Sequence, residues 1–202
     1  MVTTRCQVGR YGQFCQHVCN GNCRNKECNS TTGKCKECHR RFGFNCSHQC
    51  SDKCQGRKCI QDSGRCNSCL TGYYGFNCSH HCSNKCQGRK CNQDSGRCNS
   101  CLTGYYGFNC SHHCSNKCQG RKCIQDSGRC NSCLNEYYGF NCNKQCSGCL
   151  YGLCHQDTGV CLHQTECRKG YYGTHESEVM CNNSCYLNCN TCDKRNGTCK
   201  EI

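Results

Sequence analysis

Apolar side chains other than cysteine are thinly spread along this chain and gather at recurring places. One is the string Leu70-Thr71-Gly72-Tyr73-Tyr74-Gly75-Phe76-Asn77, which returns unchanged at 102–109. Another is Ile60-Gln61-Asp62-Ser63-Gly64-Arg65, lying between two cysteines, with an aspartate two residues before a glycine. That is the chemistry of a short hairpin loop with glycine in the left-handed region. Corresponding turns fall at Thr32-Gly33, Asp94-Ser95-Gly96, Asp126-Ser127-Gly128, Asp157-Thr158-Gly159 and Asn196-Gly197. The pattern predicts very small β-hairpins and almost no helix. No apolar run approaches the roughly 18 residues of a membrane-spanning helix.

Cysteine explains how so little apolar surface can fold. The 202 residues include 36 cysteines and neither proline nor tryptophan, a density at which a disulfide scaffold is the default reading. Ile, Leu, Val and Phe are too sparse for one core of this size. Local cross-links must replace that core, a solution suited to an oxidising compartment. The even count permits complete pairing.

The chain is also repetitive. Residues 47–78, 79–110 and 111–142 are successive 32-residue copies. The second differs from the first at Gln49/His81, Asp52/Asn84 and Ile60/Asn92, and the third from the second at Asn92/Ile124, Thr103/Asn135 and Gly104/Glu136. Residues 16–46 are a diverged copy and 143–181 a longer one. In the first of the three copies, Cys50, Cys54, Cys59, Cys66, Cys69 and Cys78 are separated by three, four, six, two and eight residues.

A six-cysteine unit closing with C-x-x-G-aromatic-aromatic-G-x-x-C resembles an EGF-like module. The likeness is closest to the short kind found in tandem in multiple-EGF-like-domain receptors, Draper-type engulfment receptors and class F scavenger receptors; laminin-type modules are related but usually carry more cysteines. The resemblance implies pairing of first to third, second to fourth and fifth to sixth. That gives Cys19–Cys28, Cys23–Cys35 and Cys38–Cys46; Cys50–Cys59, Cys54–Cys66 and Cys69–Cys78; and Cys82–Cys91, Cys86–Cys98 and Cys101–Cys110. It continues with Cys114–Cys123, Cys118–Cys130 and Cys133–Cys142, then Cys146–Cys154, Cys149–Cys161 and Cys167–Cys181. At the ends stand Cys6–Cys15, Cys185–Cys192 and Cys189–Cys199.

The implied fold is a small disulfide-rich array of tandem, laminin-EGF-related EGF-like modules with short β-hairpins. It comprises a closing loop at 1–15, complete modules at 16–46, 47–78, 79–110, 111–142 and 143–181, and an opening part at 182–202. Linkers as short as Ser79-His80-His81 suggest an elongated rod. Gly75 with Phe76, and Gly107 with Phe108, are expected to pack on the neighbouring module. Met1-Val2-Thr3-Thr4-Arg5 lacks the apolar stretch of a signal peptide, so a piece of a longer array is expected.

Charge adds a candidate activity. Lysine and arginine number 26 against 13 acids, a formal net charge of +13. Such a field favours sulfated glycans, nucleic acid or acidic lipid surfaces without choosing among them. Lys53, Arg57, Lys58 and Arg65 recur as Lys85, Arg89, Lys90 and Arg97, and again as Lys117, Arg121, Lys122 and Arg129. One reading is a ladder of weak sites compounded by avidity; the other is a charge coat that keeps a coreless protein soluble. The resemblance implies polyanionic or cell-surface ligands, other extracellular proteins among the partners, and no specific nucleic-acid recognition. A secreted adhesive matrix protein, with Tyr73-Tyr74, Tyr105-Tyr106, Tyr137-Tyr138 and Tyr171-Tyr172 as its reactive residues, is the alternative; receptor kinases and phosphatases also use such arrays.

Other chemistry finds less support. Cys66-x-x-Cys69 and its counterparts have zinc-knuckle spacing, but the six-cysteine frame favours disulfides. The acidic stretch of calcium-binding modules is replaced by Ser47-His48-Gln49 or Ser79-His80-His81, so oxygen ligands are lacking. No nucleophile, phosphate-loop or paired-carboxylate motif suggests catalysis, and the expectation is a non-enzyme without cofactor. The histidines read as solvated linker residues. Sequons at Asn29, Asn45, Asn77, Asn109, Asn182 and Asn196 are candidate glycan acceptors.

Overall fold

The computed structural model describes residues 6–162, 167–175, 178–186, 189 and 191–201. Met1–Arg5, the segment compared with a leader, lie outside them. The chain divides into two units, 1–100 and 101–202.

In the first unit, β1 (Arg10–Tyr11) pairs with β2 (His17–Val18), β3 (Arg41–Phe42) with β4 (His48–Gln49), and β5 (Tyr73–Tyr74) with β6 (His80–His81), all antiparallel. In each pair the first strand belongs to a closing loop and the second to the linker that follows. The linkers are therefore not free spacers: Tyr73 lies opposite His81 and Tyr74 opposite His80. A second hairpin is built from the cysteines, with bridges Cys59↔Cys66 and Cys54↔Cys69 in the 47–78 module. Its turn closes through Ile60 N–H to the Arg65 carbonyl and Gly64 N–H to the Ile60 carbonyl, both 2.8 Å. Gly64 sits at φ +78°, the left-handed conformation that the Asp-Ser-Gly signature predicts.

The second unit repeats these devices in β7 (Tyr105–Tyr106) with β8 (His112–His113) and β9 (Tyr137–Tyr138) with β10 (Lys144–Gln145). Its longer closing loop forms β11 (Tyr171–His175) against β12 (Glu178–Ser184), and β13 (Thr191–Cys192) pairs with β14 (Cys199–Glu201). Helical turns are short 3-10 pieces, such as Gln55–Arg57 and Gln119–Arg121.

All 36 cysteines are paired, in eighteen disulfides: Cys6–Cys15, three in each complete module, then Cys185–Cys192 and Cys189–Cys199. Within a module they link first to third, second to fourth and fifth to sixth, as in Cys50–Cys59, Cys54–Cys66 and Cys69–Cys78. Every buried hydrophobic side chain among the described residues is a half-cystine. Each bridge closes a loop of roughly ten residues, which chain-entropy estimates value at about 2–3 kcal/mol. The cross-links thus take over the work of a hydrophobic core. The result is a cysteine-rich repeat of small hairpin modules consistent with EGF-like repeats.

Neighbouring modules within a unit are clamped by one recurring set of contacts. The second aromatic of a closing loop lies against the turn glycine of the next module, so a Cβ on Gly96 would come within 2.5 Å of the Tyr74 ring. Beside it, Gly75 N–H donates to the Gln93 carbonyl at 2.7 Å, and the Gln93 side-chain amide donates back to the Cys66 carbonyl at 3.0 Å. The second unit repeats the clamp with Tyr138 against Gly159, Gly139 N–H to the Gln156 carbonyl at 2.6 Å, and Gln156 Nε2 to the Cys130 carbonyl at 2.9 Å. Phe76 and Phe108, expected at this contact, are instead 55% and 52% exposed. Gly75, at φ +98°, reverses the chain between Tyr74 and Phe76 and sends the two rings apart.

Candidate functional site

The twelve recurring basic residues fall into three environments. Arg65 and Arg129 are held across module junctions by Asp94 and Asp157, at 2.5 and 2.7 Å, and Arg97 is engaged as well. Lys53 pairs with Asp52 at 3.2 Å and stands 5.4 Å from the Tyr73 ring centroid; the Asp52 carboxylate holds its ammonium pKa above the ordinary value. Lys117, whose neighbour is Asn116 rather than aspartate, sits 4.4 Å from the centroid of Tyr137. Its hydrogen bond lowers the Tyr137 phenol below the usual tyrosine value. Lys85 also has a partner.

Arg57-Lys58, Arg89-Lys90 and Arg121-Lys122 differ from both groups. They occupy the tips and ends of the 3-10 turns, exposed and without an ion pair among the described residues. The turn is built by consecutive left-handed residues, Gly56 at φ +66° and Arg57 at φ +54°, closed by Lys58 N–H to the Gln55 carbonyl at 3.4 Å. Two such residues in a row give a tight turn of the I′ kind. Glycine takes the first position without cost; an arginine in the second is strained by about 1–2 kcal/mol. The diverged 16–46 module keeps a base, Lys26 at φ +55°, at the same tip.

The linker histidines belong to the hairpins rather than to solvent alone. The ring of His81 lies 4.6 Å from that of Tyr73 and His80 5.2 Å from Tyr74, with the same pairing for His113 and His112 in the second unit. Tyr74 and Tyr106 are therefore engaged twice, on their histidines and on the next turn glycine, while Tyr138 meets Lys144 and Gly159. Asn29, Asn45, Asn77, Asn109, Asn182 and Asn196 are all exposed. Asn29 and Asn196 use their side-chain oxygens to hold turns, accepting from Thr31 N–H at 2.9 Å and Thr198 N–H at 3.0 Å. The Sγ atoms of Cys54, Cys66 and Cys78 lie within 4.8 Å of one another. Cys54 and Cys66 are disulfide partners and Cys78 pairs with Cys69, so these sulfurs offer no thiolate to a metal.

Sequence reasoning did not foresee the grooves between closing loops and the modules that follow. One, of about 240 Å³, lies between Leu70–Tyr73 and Arg89-Lys90. Another, of about 400 Å³, is bordered by Val8–Arg10, Glu27 and Lys36. A third and larger one, of about 590 Å³, brings His39, Arg40, Arg41 and Arg57 together. A signal was present: the gap between Cys38 and Cys46 is one residue shorter than in the 47–78 and 79–110 modules and carries Arg40-Arg41 where those have Gly-Tyr.

No family model matches the chain, and no curated protein matches it. The structure itself establishes a small disulfide-rich repeat, a type usual for non-enzymatic modules, with cross-linking that suits an extracellular or secreted location. Among the described residues no helix is long and apolar enough to cross a membrane.

Proposed function

We propose that this chain is an extracellular binding array, an ectodomain segment of a multiple-EGF-like receptor of scavenger or engulfment type, which holds polyanionic ligands through its Arg–Lys turns. The observation that carries this reading is the division among basic residues. The carboxylates Asp94 and Asp157 are committed to the junction arginines Arg65 and Arg129. Arg57-Lys58, Arg89-Lys90 and Arg121-Lys122 are left exposed and without an ion pair among the described residues. A coat serving solubility alone has no need of strained left-handed tips, yet the diverged module keeps Lys26 at one. Weak contacts repeated along one chain add up through effective concentration, and unneutralised guanidinium and ammonium groups steer polyanions on approach.

The test uses the fully oxidised chain on immobilised heparin, eluted with salt. Wild type is expected to be retained at low ionic strength. Replacing the six turn residues with glutamine should abolish retention, whereas Arg65→Gln with Arg129→Gln should shift elution little. Flow-through of the wild type, or co-elution of the six-fold variant with it, refutes the reading.

A further inference from the structure

We infer that the groove between the first two complete modules is a discrete binding site for the sulfo groups of a glycan chain, one that shares Arg57 with the first of the repeated turn pairs and adds Arg40 and Arg41 to it. It rests on the polyanion reading for its ligand class and on its own geometry for its place. The groove, about 590 Å³, is lined by His39, Arg40, Arg41, Gln49, Asp52 and Arg57. Asp52 is already paired with Lys53 at 3.2 Å, so the three guanidiniums keep a surplus of positive charge.

The backbone shows that this surplus is maintained against a conformational cost. In every module the residue before the first strand of the closing hairpin is left-handed, because its carbonyl must accept the N–H of the next module's first cysteine. Gly72 does so at φ +93° with Cys82 at 2.8 Å, and Gly9, Gly104 and Gly170 are its counterparts. Arg40 does the same at φ +55°, its carbonyl accepting from Cys50 N–H at 3.0 Å. Arg57, facing it across the groove, is left-handed too. Two arginines thus stand on the same cavity at backbone positions that suit glycine. Strained residues that a surrounding scaffold holds in place gather at binding sites.

The third arginine is oriented rather than free. Arg41 Nη1 donates to the carbonyls of Cys46 at 3.5 Å and Ser47 at 3.3 Å, which fixes its side chain along the wall. Arg40 and Arg57 make no ion pair among the described residues, and their planar forks match tetrahedral oxyanions in two-point contacts. Gln49 and His39 supply hydrogen-bonding groups for neutral hydroxyls between the sulfo groups. A slender sugar chain can lie in a recess of this volume, whereas a flat lipid surface meets only its mouth. The other grooves lack the set: Gly72 and Thr71 stand beside Arg89 in one, and another holds a single arginine, Arg10, with Lys36 paired to Glu27 at 3.4 Å.

The experiment titrates the isotope-labelled, fully oxidised chain with a heparin-derived tetrasaccharide, with inorganic pyrophosphate as a second probe. Amide signals of His39, Gln49 and Arg57 should move at lower tetrasaccharide concentration than those of Thr71 and Asn99. Arg40→Gly, which installs the glycine other modules already tolerate there, should fold and bind the tetrasaccharide about tenfold more weakly, the usual loss for one charged hydrogen-bonding partner. Arg40→Lys, which keeps charge without the fork, should fall between. Simultaneous movement at both grooves, an unchanged dissociation constant for Arg40→Gly, or movement with pyrophosphate alone overturns the assignment. Heparin retention of the same variants separates the two readings. If Arg40→Gly is retained like wild type and binds the tetrasaccharide equally well, the groove fails and the array reading stands. If wild type flows through yet its groove signals respond to the tetrasaccharide, the reverse holds.

Discussion

The junction between the modules at 16–46 and 47–78 and the one between 47–78 and 79–110 are built on the same plan. Phe42 lies on Gly64 in the first and Tyr74 on Gly96 in the second. Gly43 N–H meets the Gln61 carbonyl at 2.6 Å and Gly75 N–H the Gln93 carbonyl at 2.7 Å. Lys34–Asp62 at 2.7 Å answers Arg65–Asp94 at 2.5 Å. Among the residues that differ, one sits at a left-handed position: Arg40 against Gly72. The clamp over-determines the backbone, so a strained side chain is tolerated where glycine would be easier. In the second unit the same position holds Glu136 at φ +70°, paired with Arg168 at 2.8 Å. A fixed scaffold with a variable position at each junction, glycine in most and charged at Arg40 and Glu136, is how a tandem array can differ from module to module without changing its fold.

The largest effect should come from attacking what the two junctions share. Gly64→Ala and Gly96→Ala place a methyl group within 2.7 and 2.5 Å of the Phe42 and Tyr74 rings, at a backbone angle unsuited to alanine. Overpacking costs about 1–3 kcal/mol and the left-handed angle about 1–2 kcal/mol more. Hydrogen exchange should show Gly43 N–H losing protection in the first variant and Gly75 N–H in the second. If only one junction loosens, the two are not held by the same device.

Exchanging what differs comes next. Arg40→Gly should stabilise its junction and Gly72→Arg should weaken the other, each by roughly 1 kcal/mol, the left-handed penalty less glycine's extra chain entropy. Local exchange at Cys50 and Cys82, whose N–H groups bond to these residues' carbonyls, reads both. Equal protection in all variants would remove strain from the account of Arg40.

Much of this architecture is legible in the residues because its determinants are local. Asp62-Ser63-Gly64 specifies its own turn, and short, regular gaps between cysteines bring the hairpin strands together before any distant contact forms. The pairing scheme comes from resemblance rather than from spacing, since six cysteines leave many connectivities open. The contacts between modules are harder to read. Tyr74, not Phe76, makes the contact because Gly75 reverses the chain, and the Gln93 amide reaches Cys66 across 27 positions. The histidines pass for linker residues until their strand partners are known. Arg57 and Lys58 can be named from recurrence, but Arg40 has no basic counterpart in the other modules and Arg41 only Arg10, so neither stands out among the repeated bases.

The smallest contrast lies in the turns that the two junctions grip. Asn92 Oδ1 accepts from Asp94 N–H and Ser95 N–H, both at 3.0 Å, whereas Ile60, 48% exposed, offers its turn nothing. Both turns keep the same backbone bonds, so the side chain supplies a supplement worth about 0.5–1.5 kcal/mol. Asn92→Ile should speed exchange at Asp94 and Ser95, and Ile60→Asn should slow it at Asp62 and Ser63. Asp193 plays Asn92's part in the second unit, accepting from Arg195 N–H at 2.9 Å. That bond and Lys200 hold its carboxyl below the ordinary value of 3.8. A lowered folded-state value means that this support is present above the unfolded-state pKa and disappears as pH falls through the folded one. Acidification below about pH 4 should therefore loosen the Arg195 amide while leaving the amides held by Asn92, which has no proton to gain, unchanged. Equal loss at both turns would place the acid response elsewhere in the module and leave Asp193 as an ordinary solvated carboxylate.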